Sequence, residues 1–320
     1  MNSIFLQITI FLIVLFVYIH IMSQLKTTNS LEIYDAGTPT TMQLADLCNI
    51  RQPCVFYFDT TRTTNAVNNL GMSGTDTLTI YVPDDNGGSP LQIKSDYSDI
   101  SEITHSNPSH FSCYNSNLIS NNVELDMSLK SQDMFLKPVG NVYTTRDLII
   151  GGSHGTTPFK YDINNRTFLT AYTTSIRVQL APPSSINELS PHYDYDLFEF
   201  KSDLNPWSSD TKHTVIKSKI STHVIEVHPG QTLFIPPYWW YSIQFNKSLS
   251  HIGYIGYHTA VSSLSVSSYL IMRCFQMQNT RHLPHYKNMV NEDNSSLVSS
   301  TTTNESVPET TQTMSIPDDE

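Results

Sequence analysis

The sequence predicts a mainly β domain, an antiparallel sandwich or barrel with flanking helices, preceded by one membrane-crossing helix. Three observations carry this. Short runs rich in Ile, Val, Thr, Tyr and Phe recur through residues 30–280, separated by turn-forming clusters such as DDNGGSP and HPGQ. Aromatic residues make up 11% of the chain, enough material for a β-rich core. Residues Ile4–Met22, IFLQITIFLIVLFVYIHIM, contain no charged group.

At a rise of about 1.5 Å per residue, that N-terminal run comes close to the roughly 30 Å of bilayer hydrocarbon. It is longer than the apolar stretch of about 7–15 residues usual in a cleaved signal. No Lys or Arg precedes it and no A-x-A-like site follows, so residues 1–25 read as a retained single-pass anchor. Lys26 is the nearest basic residue, too little to decide which side the body occupies. Sequons begin at Asn165, Asn246, Asn294 and Asn304, about as many as a chain this rich in Asn, Ser and Thr supplies by composition.

In the body, the pattern predicts a helix over Thr41–Cys48, capped by Thr40 or Thr41. Strands follow at Thr77–Val82, Leu148–Ile150, Thr167–Tyr172, Ile176–Leu180, Val224–Val227, Thr232–Ile235 and Ser242–Phe245, and a helix at Val261–Gln276 closes the block. No internal repeat is present. From about Asn288 the chain has no Lys or Arg and few large apolar residues, so 288–320 reads as a disordered acidic tail. The formal net charge of -11 is concentrated there and leaves the body nearly neutral, which argues against a basic nucleic-acid face. Cys48, Cys54, Cys113 and Cys274 have neither metal-ligand spacing nor the density of a disulfide framework. No GxSxG, Walker loop or dinucleotide fingerprint occurs.

The most specific stretch is His228–Phe245, HPGQTLFIPPYWWYSIQF: a Pro-Gly turn, a strand, a double-proline break, then Trp239–Trp240 entering the next strand. Upstream, Gly151–Pro183 runs from a Gly/Thr/Pro turn through Lys160–Tyr161–Asp162 to a strand ending in Pro-Pro, and the helix before RQPCVFYF suits the same pattern. Together these resemble the JmjC/cupin-like family over about residues 32–275. The resemblance implies a double-stranded β-helix (jelly-roll) barrel of the kind used by Fe(II)/2-oxoglutarate oxygenases. In active members a His-x-Asp/Glu pair and a distal His hold the iron on one face. Carried onto this chain, the first His position is Lys160, the acidic position is Asp162, and the distal His position is Tyr241. Thr157 matches a cosubstrate-contacting Thr. The family's cosubstrate Lys position falls on Ile176, with Arg177 beside it on the opposite face of the strand.

An ammonium has no lone pair to donate, so Lys160 repels a cation. The expectation is a vestigial metal site in which Lys160 pairs with Asp162 as a buried ion pair. His192–Tyr193–Asp194 is also a His-x-Asp, but it follows the Pro-Pro segment in what reads as a solvated loop. His154 sits in a turn from which it can reach a pocket. Trp239 and Trp240 read as core and rim aromatics, and Asn246 as a turn residue. The resemblance thus implies a membrane-anchored, non-catalytic binding or scaffold module that needs no cofactor and meets a protein partner through the old cleft or the tail. Two other classes stay open: an Fe(II)/2-oxoglutarate hydroxylase of protein or RNA with an unorthodox ligand set, and a small-molecule-binding cupin.

Overall fold

A computed structural model describes residues 2–70, 77–82, 91–97, 99–100, 102, 111–112, 115–195, 198–208, 211–247, 249–279 and 286–288. The described residues up to Lys287 form one compact unit. The expected tail beyond Asn288, and Cys113, lie outside the described residues.

The apolar run folds as one helix, Asn2–Leu25. Its stretch Ile4–Leu25 has a mean hydropathy of 2.6 and is long and apolar enough to cross a membrane, by length and composition. Its C-terminal end is held by the body: the Arg51 guanidinium donates to the backbone carbonyl and side-chain oxygen of Gln24 and to the Lys26 carbonyl. A cation at a helix C-terminus satisfies carbonyls that no helical N–H can reach. The next helix, Thr41–Ile50, starts on a capping box in which Thr40 and Gln43 serve each other's backbone N–H.

The strands are β1 (Tyr34–Asp35), β2 (Cys54–Tyr57), β3 (Thr77–Val82), β4 (Leu91–Asp96), β5 (Phe111–Ser112), β6 (Asn141–Gly151), β7 (Lys160–Tyr161), β8 (Arg166–Ala171), β9 (Ile176–Ala181), β10 (His192–Asp194), β11 (Glu199–Lys201), β12 (His223–Val227), β13 (Gln231–Ile235), β14 (Trp240–Phe245) and β15 (Ser250–Thr259). The larger sheet runs β1-β2-β13-β8-β15-β6-β5-β3-β4 and the smaller β10-β11-β7-β14-β9-β12. β6 to β9 alternate between the two sheets, and β12 to β15 do so again. This alternation is the double-stranded β-helix. Ile149, Leu169, Leu233 and Ile252 of the larger sheet meet Ile176, Val178, Leu180, Tyr241 and Ile243 of the smaller in one buried core. The Pro229–Gly230 turn that joins β12 to β13 needs the positive φ of +82° that glycine adopts without strain.

Several local expectations change. The last helix is two, Ala260–Ser265 and Ser267–Asn279, because Thr259 and Ser262 form a capping box that starts the first and Val266 ends it. β6 begins nine residues before Ile150, at Asn141, through a polar half that propensity alone does not mark. His192–Asp194 is no loop. It pairs with β11 at the edge of the smaller sheet.

Candidate binding site

β14 pairs with β7 so that Tyr241 stands opposite Lys160 and Trp240 opposite Tyr161. Since side chains alternate across a strand, this register sends the two pairs to opposite faces. Trp240 and Tyr161 meet edge to face, ring centroids 4.8 Å apart, in a cluster outside the sheet with Phe159 and Phe200. Trp239 and Tyr241 lie in the core between the sheets, both fully buried. The turn after Pro236–Pro237 is tied down where the Tyr238 N–H donates to the Asp162 carbonyl at 2.9 Å.

Asp162 follows β7 directly. Its carboxylate accepts the Tyr241 hydroxyl at 2.9 Å and, less closely, the Thr167 hydroxyl at 3.4 Å. The Lys160 ammonium sits 5.5 Å from the centroid of the Tyr241 ring and 5.9 Å from that of Tyr254. These are cation–π distances. No ion pair joins Lys160 to Asp162, which corrects the expected pairing. The carboxylate is engaged by a neutral donor, and the ammonium rests against aromatic faces instead.

Around these residues lies a cavity of about 450 Å³, lined by Asp147 of β6, Lys160 and Asp162, Glu199 of β11, and Tyr254 and His258 of β15. Leu270 and Arg273, from the helix Ser267–Asn279, also line it. Burial dominates its electrostatics. It pushes the Tyr241 and Tyr254 phenols well above the ordinary tyrosine range, and the charge of Asp162 pushes in the same direction. Burial also lowers His258, against the opposing pull of Asp162. Asp147 is raised by burial. The Asn115 N–H, donating at 2.7 Å, and the Lys160 ammonium oppose that rise. The cavity therefore presents the Tyr254 phenol and the His258 imidazole among the Lys160 ammonium, the Arg146 and Arg273 guanidinium groups and the carboxyl groups of Asp147, Asp162 and Glu199.

Thr157 and Ile176 do not line this cavity. The Thr157 hydroxyl accepts the Ile243 N–H at 2.9 Å, and its carbonyl accepts the Ser242 hydroxyl at 2.5 Å, so it ties the turn to β14. Ile176 is wholly buried in the core. Arg177 points outward, bonded to Gln244 and packed over Trp207. His154 is exposed in its turn at a φ of +70°. His192 is exposed too, and pairs with Asp203 at 2.8 Å. Asn246 donates to the Ser175 hydroxyl from its turn.

Sequence reasoning missed Asp147, Glu199, Tyr254 and His258. A period-two signal was present for two of them: in HIGYIGYH, Tyr254 and His258 alternate with the buried Ile255 and Tyr257. Glu199 carried no such signal, since it comes from a three-residue strand.

Residues 92–281 match the sequence profile of the cupin-like domain. The chain belongs to the cupin-like domain family. No curated protein matches it. The matched span takes in β4 and every later strand that builds the cavity, so the candidate site lies within the cupin-like domain itself.

Proposed function

We propose that this protein is a membrane-anchored, non-catalytic cupin-like binding module whose family metal position is taken by its own side chains. The observation that carries the reading is the Tyr241 hydroxyl donating to Asp162 with the Lys160 ammonium over the Tyr241 ring. Fe(II) needs three lone-pair donors on one face. Of the three aligned residues, Lys160 is a cation. Tyr241 is held protonated by burial and spends its proton on Asp162. One carboxylate, already hydrogen-bonded, remains. The donor set does not fit the ion that the fold family implies.

The cavity supports binding as the retained role. Its volume of about 450 Å³ is within the range of small-molecule sites, and charged and polar side chains of both signs converge on it beside an apolar wall of Ile149, Ile163, Phe198 and Phe200. The N-terminal helix, joined to the body through Arg51, supports an anchor that presents this site at a membrane.

The test is thermal unfolding of the full chain in detergent with Fe(II) or Mn(II), with 2-oxoglutarate, and with both. A ligand that binds only the folded state raises the midpoint by mass action. The expected result is no shift in any arm, and a metal-dependent rise in the double variant Lys160→His with Tyr241→His. Metal-dependent stabilisation of the unaltered chain, or its conversion of 2-oxoglutarate to succinate, would overturn the reading in favour of the hydroxylase.

A further inference from the structure

The N-terminal helix is not tethered by a loose linker. Arg51 grips its last turn at Gln24 and at Lys26, just beyond it, and the helix packs against Ala260–Ser265. The helix that follows, Ser267–Asn279, turns one face to the body. Tyr269 meets Phe200 edge to face at 5.3 Å, the Arg273 guanidinium lies 5.0 Å from the Phe198 ring centroid, and Gln276 accepts the Tyr195 N–H.

Its other face is exposed and uncharged: Leu270, Ile271, Cys274 and Phe275, with Phe275 57% accessible, flanked by Ser267 and Ser268 at the start and Gln278 near the end. Arg273 is the one charged residue in the helix, and it faces the body. A surface helix on a soluble domain normally turns charged residues outward. Leu264 on the preceding helix is exposed too, and that helix is the element against which the N-terminal helix packs. Val139, 99% accessible, precedes Gly140, whose carbonyl accepts the Ala260 N–H at the start of the same helix.

We infer that the outer face of Ser267–Asn279 lies in the headgroup–acyl boundary of the bilayer crossed by the N-terminal helix, as an in-plane docking helix. The inference rests on the anchor reading above. Because Leu270 and Arg273 of the same helix also line the cavity, docking makes the bilayer surface part of the cavity's surroundings.

The experiment uses the full chain in vesicles of uncharged phosphatidylcholine, with an environment-sensitive fluorophore on single thiols. In Cys113→Ser, Cys274 is the thiol that reacts. Cys48 and Cys54 are buried, and burial pushes both thiols up, Cys48 to about 12. With Cys274→Ser added, Val14→Cys reports the middle of the span and Lys247→Cys the far end of β15. Ten residues of strand put Lys247 roughly 30 Å from Thr259.

The expected result is a blue-shifted Cys274 probe quenched by shallow lipid-borne quenchers, a Val14 probe quenched by deep ones, and a Lys247 probe quenched by neither. A Val14 probe in water withdraws the anchor, and this inference with it. A Val14 probe in the bilayer with a Cys274 probe that behaves like Lys247 overturns the docking and leaves the anchor standing. A blue shift at Cys274 without lipid quenching also overturns it, since a second copy of the chain then covers the face.

Discussion

Replacing Tyr241 by Phe removes a single oxygen from the centre of the cupin-like core. The side chain is fully buried and its ring is kept, so no cavity larger than the hydroxyl opens and the aromatic face under Lys160 survives. What goes is the 2.9 Å hydrogen bond to the Asp162 carboxylate. A hydrogen bond to a charged group contributes about 1.5–3 kcal/mol. Two other hydroxyls stand at Asp162, that of Thr167, distant at 3.4 Å, and that of Tyr254, and together they replace part of it. Asp162 also lines the cavity, where water reaches it, which favours the lower half of that range. About 1.5–2 kcal/mol, at roughly 2–4 °C per kcal/mol for a domain of this size, lowers the midpoint by about 3–8 °C.

The assay is thermal and urea unfolding of the wild-type chain, Tyr241→Phe, Asp162→Ala and the double variant. An unchanged urea m-value licenses comparison of the free energies. The two single losses should exceed the double one by at least about 1 kcal/mol when summed, as coupled partners do. Strict additivity, or a Tyr241→Phe midpoint equal to wild type, would refute the contact and with it the argument that Asp162 is spoken for.

Other outcomes follow from the same structure. His251 is buried between Tyr97 and Thr173, and burial lowers it from 6.5 to about 4. A depressed group contributes stability above its unfolded pKa, so this share is complete above pH 6.5 and is lost as the pH falls towards 4. At about 1.36 kcal/mol per pH unit it amounts to roughly 3 kcal/mol. His251→Gln should flatten the stability profile over that window, and an unchanged slope would count against burial as the cause. A Cβ added at Gly151 would meet the buried Phe245 ring at 2.4 Å, so Gly151→Ala should cost about 1–3 kcal/mol by overpacking, or more if β6 is displaced. A neutral Gly151→Ala in urea unfolding would mean that β6 and β14 sit farther apart than drawn.

How much of this was legible beforehand depends on how local each signal is. β8, β9, β13 and β14 are readable because each carries closely spaced β-branched, aromatic or Leu residues and is almost wholly buried, Arg177 of β9 being the exposed exception. The helix Thr41–Ile50 is readable from its cap. Strands of two or three residues, such as β7, β10 and β11, are too short to carry a period. The helices Ser116–Asn121 and Val123–Ser131 bury only a few residues each and left no continuous apolar stripe to read.

The amino-acid order alone carries the resemblance that singles out Lys160, Asp162 and Tyr241, because the Pro-Pro-Tyr-Trp-Trp turn and the Lys-Tyr-Asp string are contiguous in the chain. It determined the apolar N-terminal helix as well, because length and hydropathy are properties of a continuous stretch. Which partner each side chain takes was decided only by the tertiary structure. Asp162 can accept from Lys160 or from Tyr241. The choice fell to the phenol because β14 pairs beside β7 in the smaller sheet and the larger sheet covers the ring, burying it within reach of the carboxylate. The cavity arose the same way. Asp147, Glu199 and His258 are spread over more than a hundred residues of chain, and only strands that alternate between sheets place them around one space.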